Sequence, residues 1–127
     1  MAKTILIVED ERQTALLLEA RLKAAGYETY VAFNGDEGWH KVQIVHPDLV
    51  ILDVEMPVLN GYGVCELIKT THQTKNTHVL LLTSHDTVGD IDTGFEAGAD
   101  AFIAKPYSWE RLHSKVLMLL NRNSDDQ

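Results

Sequence analysis

Short apolar runs alternate with helix-length amphipathic segments along this chain, and that alternation restricts the fold more than any other feature. Ile5-Leu6-Ile7-Val8, Leu49-Val50-Ile51-Leu52, Val79-Leu80-Leu81-Leu82 and Ala101-Phe102-Ile103-Ala104 are strand-length, and Glu28 to Ala32 reads as a further strand. Between them, Ala15, Leu18, Leu22 and Ala25 recur at helical spacing, with Gly26 closing that helix. Trp39, Val42 and Val45 mark a second helix from Gly35, stopped at His46-Pro47, because the residue before proline avoids the helical region. Val64, Leu67 and Ile68 mark a third from Asn60 to Thr71. Val88, Ile91 and Phe95 mark a fourth, ended by Ala97-Gly98. Trp109, Leu112, Val116 and Leu119 mark the last, with Ser108 as N-cap and Glu110 in the first turn. Strand then helix, five times, with continuous apolar strands, predicts an α/β fold: a doubly wound parallel five-stranded sheet covered on both faces.

The polar residues that end the runs are as regular as the runs themselves. Glu9-Asp10, Asp53, Thr83-Ser84 and Lys105-Pro106 each sit just past a strand. In an open parallel sheet, ligands bind at the carboxyl ends of the strands, where strand order reverses. Three carboxylates, a hydroxyl and one ammonium are thereby expected to share a pocket. Carboxylates within about 4 to 6 Å oppose one another's ionisation, so such a cluster calls for a cation. An all-oxygen site suits a hard ion, Mg²⁺ first.

Composition removes several classes. With 127 residues the chain buries one core, expected over residues 1–122, with a polar tail over 123–127. A formal net charge of −8 and the absence of any basic run argue against direct nucleic-acid binding. The longest apolar stretches, about five residues, fall far short of the roughly 20 a membrane span needs. Nothing near Glu9-Asp10-Glu11 resembles a signal peptide, and a single cysteine, Cys65, agrees with a reducing cytoplasm. Cys65 reads as a packing residue on the third helix.

Taken one at a time, these positions have plainer explanations. An acidic pair after a strand favours a helix N-terminus, Thr83-Ser84 serves as an N-cap, and Lys105 as a solvated edge residue. Asn60-Gly61 reads as a turn with positive φ at glycine. Asp53 is different: a carboxylate directly after an apolar run, with no turn residue at hand, is hard to explain structurally. The six histidines share no motif spaced for zinc, so none is offered as a ligand or phosphoacceptor.

Four motifs in this order, Ile5 to Asp10, Pro47 to Pro57, Leu82-Thr83-Ser84 and Gly98 to Pro106, resemble the receiver domain of two-component response regulators, of the CheY-like kind. The resemblance runs from Thr4 to about Arg122 and implies the flavodoxin-like strand order 2-1-3-4-5. It implies Asp53 as the phosphoacceptor, with Thr83 and Lys105 holding phosphoryl oxygens. It implies Mg²⁺, with Mn²⁺ as a substitute, on Glu9, Asp10, Asp53 and the backbone carbonyl of Glu55, and a cis Lys105-Pro106 bond. Thr83 and Phe102 are its switch pair, and Glu55 and His85 border the path of the hydrolytic water. Its partners are a sensor histidine kinase or histidine phosphotransfer protein and an output protein or domain. The output meets the face of the fourth helix, fifth strand and fifth helix, on a monomer or weak phosphorylation-dependent dimer. Such a domain catalyses its own phosphorylation and dephosphorylation without being a conventional multiple-turnover enzyme. The chain departs from the commoner pattern in Glu9, often aspartate, in Phe102, where tyrosine is also common, and in Glu55 and His85.

Other readings remain: the receiver part of a longer DNA-binding or enzymatic regulator, and an aspartyl-phosphate phosphatase of the haloacid-dehalogenase type. The phosphatase family places its nucleophile on the first strand, whereas Asp53 ends the third. A nucleotide-binding Rossmann unit is set aside, because Glu9-Asp10-Glu11 is acidic where a glycine-rich loop is needed.

Overall fold

The computed structural model describes residues 2–56, 59–84, 93 and 95–121. Five parallel strands, β1 (Thr4–Val8), β2 (Glu28–Ala32), β3 (Leu49–Asp53), β4 (His78–Thr83) and β5 (Ala101–Ala104), form one sheet in the order β2-β1-β3-β4-β5. Helices α1 (Arg12–Ala24), α2 (Gly35–Val45), α3 (Gly61–Thr70) and α4 (Trp109–Leu120) connect and cover them. The expected fourth helix lies largely outside the described residues, as do Val88 and Ile91; Thr93, Phe95 and Glu96 are helical.

Alternation along each strand divides the apolar residues between two cores. Ile5, Ile7, Leu49, Ile51, Leu80, Leu82, Ala101 and Ile103 pack under α1 and α4 with Leu18, Leu22, Leu112 and Val116. Leu6, Val8, Val50, Leu52, Val79 and Leu81 pack on the other face with Val42, Val64 and Ile68. All five residues of β3 are buried, as its central position requires. This is why the strands read as unbroken apolar runs: both faces of the sheet are dry.

Helix boundaries follow local chemistry. Asn34, Asn60 and Ser108 cap α2, α3 and α4, each side chain accepting from a backbone N–H three residues on. Gly26, at φ 100°, turns the chain out of α1 in a conformation that costs other residues a Cβ clash. Two local expectations, on Ala25 and Gly61, are corrected, and one, on His46, holds. Ala25 is exposed at the end of α1, one step past the face that Ala15, Leu18 and Leu22 bury. His46 stops α2 where the following proline predicts, leaving the right-handed helical region for the left-handed one (φ 51°, ψ 61°) with its N–H donating to the Val42 carbonyl. Gly61 does not have positive φ; it opens α3, and a Cβ there would lie 2.5 Å from the Asp53 carbonyl oxygen, so glycine is needed for close approach. Cys65 is fully buried, its thiol donating to the Ala97 carbonyl at 3.5 Å and pushed up to about 12 mainly by burial, in keeping with a packing role.

Candidate functional site

Parallel strands deliver their ends to one edge. Asp53 finishes the central strand, Glu9 and Asp10 follow β1, Thr83 finishes β4, and Lys105 follows β5. Ladder-like contacts continue past the strands and hold these residues in place. The Glu9 N–H donates to the Ala32 carbonyl (3.0 Å), Val54 N–H to Leu82 (2.9 Å) and Lys105 N–H to Thr83 (2.7 Å). An open cleft of about 540 Å³ results, lined by Glu9, Asp10, Asp53, Glu55 and Lys105 with Thr14 and Tyr107 beside them.

Lys105 Nζ donates to Asp53 Oδ1 at 2.9 Å and lies 4.0 Å from Glu9 Oε1 and 3.7 Å from Glu55 Oε2. Burial disfavours its charge, but the hydrogen bond to Asp53 and the charges of Asp53, Glu9 and Glu55 outweigh this and raise its pKa. The Glu55 backbone N–H also donates to Asp53 Oδ1, at 3.1 Å. Asp53 is 3% and Glu9 4% exposed, so both carboxyls are out of bulk water. Burial pushes the Glu9 carboxyl up to about 8; the neighbouring Asp53 adds to this, while a hydrogen bond from the Glu11 N–H (3.1 Å) and the Lys105 charge oppose it.

Glu9, Asp10 and Asp53 each offer a carboxylate oxygen to a set in which all such atoms lie within 4.8 Å of one another. An all-oxygen donor set containing a buried acid that will not ionise readily on its own fits a hard cation.

The sequence places Glu55 beside His85, but His85 lies outside the described residues. Among the described residues, the Glu55 carboxylate meets the end of β4: its Oε1 accepts from Ser84 Oγ (2.7 Å), the Ser84 N–H (2.9 Å) and Thr83 Oγ1 (3.3 Å). Phe102, half-buried on β5, meets Phe95 edge to face with centroids 4.8 Å apart. The Lys105–Pro106 peptide is cis. Sequence reasoning did not single out Thr14 and Tyr107 as lining residues. Tyr107 follows Lys105-Pro106 directly, which was the available signal; Thr14 gave none, since it looks like any polar residue on the first turn of α1.

Fold and site together define a class: a flavodoxin-like α/β domain with a charged, single-lysine cleft among its described residues, at the carboxyl edge of the sheet. The family model for the response regulator receiver domain matches residues 5–117. The chain is 40% identical over 123 residues to the probable transcriptional regulator ycf27 of Cyanophora paradoxa, and 36% identical over 123 residues to the alkaline phosphatase synthesis transcriptional regulatory protein PhoP of Bacillus subtilis. Each alignment covers 97% of this chain and 50% of the relative. Among solved structures, the signal receiver domain of a signal transduction histidine kinase from Syntrophus aciditrophicus superposes with a TM-score of 0.88 at 37% identity, covering 97% of this chain and 96% of that one. This chain belongs to the response regulator receiver domain family of two-component signalling, and it spans about half the length of the curated relatives it matches.

Proposed function

We propose that this receiver is a phosphorylation-dependent switch in which Asp53 accepts a phosphoryl group from the phosphohistidine of a sensor histidine kinase or histidine phosphotransfer protein. The observation that carries the reading is the Lys105 Nζ to Asp53 Oδ1 contact of 2.9 Å in an acidic cleft at the end of the central strand. Asp53 needs no general base, because an ionised carboxylate is already a nucleophile. An Asp53 oxygen forms the new O–P bond as the N–P bond of the donor breaks, and the electron pair leaves with the imidazole nitrogen. Lys105 and Thr83 hold phosphoryl oxygens, so catalysis is mostly positioning and charge neutralisation. Glu9, Asp10, Asp53 and the Glu55 backbone carbonyl would hold Mg²⁺, or Mn²⁺ in its place, which when bound supplies positive charge between nucleophile and phosphoryl group. Glu55 and His85 modulate the later attack of water on the acyl phosphate. Thr83 and Phe102 carry the change to the output face around Phe95, Phe102 and α4, where a partner protein or domain docks or a weak dimer forms.

Incubation with acetyl phosphate and Mg²⁺ is expected to add one base-labile phosphoryl group. Retention of that mass increment in Asp53→Asn would remove Asp53 from the role.

A second reading concerns context. The relatives are named transcriptional regulators about twice as long as this chain, which favours a receiver acting within a longer regulator. The intact mass of the native protein distinguishes this from a receiver that stands alone.

A further inference from the structure

The donors at the end of β4 that a phosphoryl group on Asp53 would use are already engaged, and the group engaging them is Glu55. Its Oε1 accepts from the Ser84 hydroxyl, the Ser84 backbone N–H and the Thr83 hydroxyl, and its Oε2 lies 3.7 Å from Lys105 Nζ. A carboxylate and a phosphoryl group ask for the same things here: short charge-assisted hydrogen bonds and one ammonium. The base of the Glu55 side chain is fixed by its own N–H, which donates to Asp53 Oδ1 at 3.1 Å. The contact is therefore intramolecular and always in reach, at high effective concentration.

The geometry points to Glu55 as an internal stand-in for the phosphoryl group, holding the Thr83 and Ser84 donors in the unphosphorylated chain until phosphorylation of Asp53 displaces it. This rests on Asp53 being the acceptor, and it adds a threshold to that reading. A placeholder stabilises the unphosphorylated arrangement of the end of β4 and lowers affinity for any anion mounted on Asp53. The switch is then driven by the phosphoryl group's advantage over a carboxylate for the same donors, since only differential affinity moves a two-state equilibrium. Glu55 is a positioning residue in this scheme, acting on phosphoryl binding through Thr83 and Ser84.

The test is a double-mutant cycle read by calorimetric titration with beryllofluoride, a phosphoryl mimic, at saturating Mg²⁺ so that changes in metal affinity drop out. Glu55→Ala is expected to bind beryllofluoride about tenfold more tightly than wild type, as expected for the loss of one charge-assisted competitor. Glu55→Gln, which keeps the shape with a weaker acceptor, falls between them and covers the case in which the alanine variant folds poorly. In the Thr83→Ala/Ser84→Ala background Glu55 has lost both hydroxyl donors and keeps only the Ser84 N–H and the Lys105 ammonium, so its removal is expected to raise affinity clearly less, by about threefold or less. An equal gain in both backgrounds identifies plain charge repulsion and overturns the placeholder. So does an unchanged affinity in Glu55→Ala and Glu55→Gln when wild type binds. Failure of wild type to bind beryllofluoride, or binding that survives in Asp53→Asn, overturns the phosphoacceptor reading itself.

Discussion

Glu9 makes the metal-free fold sensitive to pH in a direction opposite to most acidic residues. It is 4% exposed and its carboxyl is raised from 4.5 to about 8, chiefly by burial. A carboxyl with a raised folded pKa favours the folded state fully below the unfolded value, and that contribution is lost as pH climbs through the folded value. At 1.36 kcal/mol per pH unit, titration near 8 instead of 4.5 removes at most about 5 kcal/mol across that window. Water entering the open cleft lowers the figure, and a loss of about 2 kcal/mol between pH 5.5 and 8 already shifts the melting point of a domain this size by roughly 8 °C. Calorimetric melting in EDTA at steps over pH 5.5 to 8 is expected to show a falling midpoint for wild type and a nearly flat one for Glu9→Gln, which keeps the shape without the charge. Millimolar Mg²⁺ is expected to oppose the fall, because the ion binds the deprotonated set and at about 100 times its dissociation constant contributes roughly 2.7 kcal/mol. Its stabilising effect should therefore grow with pH. Wild-type and Glu9→Gln midpoints that run parallel across the window in EDTA would refute the argument.

Lys105→Met leaves Asp53 without its ammonium partner and is expected to lower metal-free stability at pH 7 by about 1.5 to 3 kcal/mol, measured by urea unfolding, with Mg²⁺ recovering part of the loss. Gly61→Ala places a methyl group 2.5 Å from the Asp53 carbonyl oxygen and 2.8 Å from Val54 Cα, so a loss of about 2 kcal/mol or more and weaker acceptance of phosphoryl are expected; an unchanged midpoint would show that α3 can step back at no cost. Thr83→Ala is expected to remain a substrate for acetyl phosphate yet to lose most of the beryllofluoride-dependent amide shifts around Phe102, and a full wild-type pattern there would break the link between hydroxyl and ring.

The strands and the helical faces were legible in the sequence because burial on both faces of a parallel sheet demands unbroken apolar runs, and a helix covering it demands apolar residues at three- and four-residue spacing. Ile5 to Val8, Leu49 to Leu52 and Val79 to Leu82 satisfy the first requirement; Leu18 with Leu22 and Leu112 with Val116 satisfy the second. That Asp53 ends a strand needed no coordinates, since it comes directly after the third apolar run. The family pattern, carried in four short motifs, supplied the strand order that alternation alone leaves open.

The tertiary structure decided everything that depends on residues distant in the chain coming together. Lys105 and Asp53 are 52 residues apart, and only their shared sheet edge sets them at 2.9 Å. The burial that makes Glu9 a reluctant acid comes from the elements packed around it; its local sequence, Glu9-Asp10-Glu11, looks fully solvated. Gly61 reads as a turn glycine, and only the neighbouring Asp53 carbonyl reveals that it is there for lack of a Cβ. Glu55 is the sharpest case. Two residues from Asp53 along the chain, its carboxylate is drawn to Thr83 at the end of the next strand and Ser84 just past it, because parallel pairing of β3 and β4 brings those donors within reach of a side chain that sequence distance keeps far away.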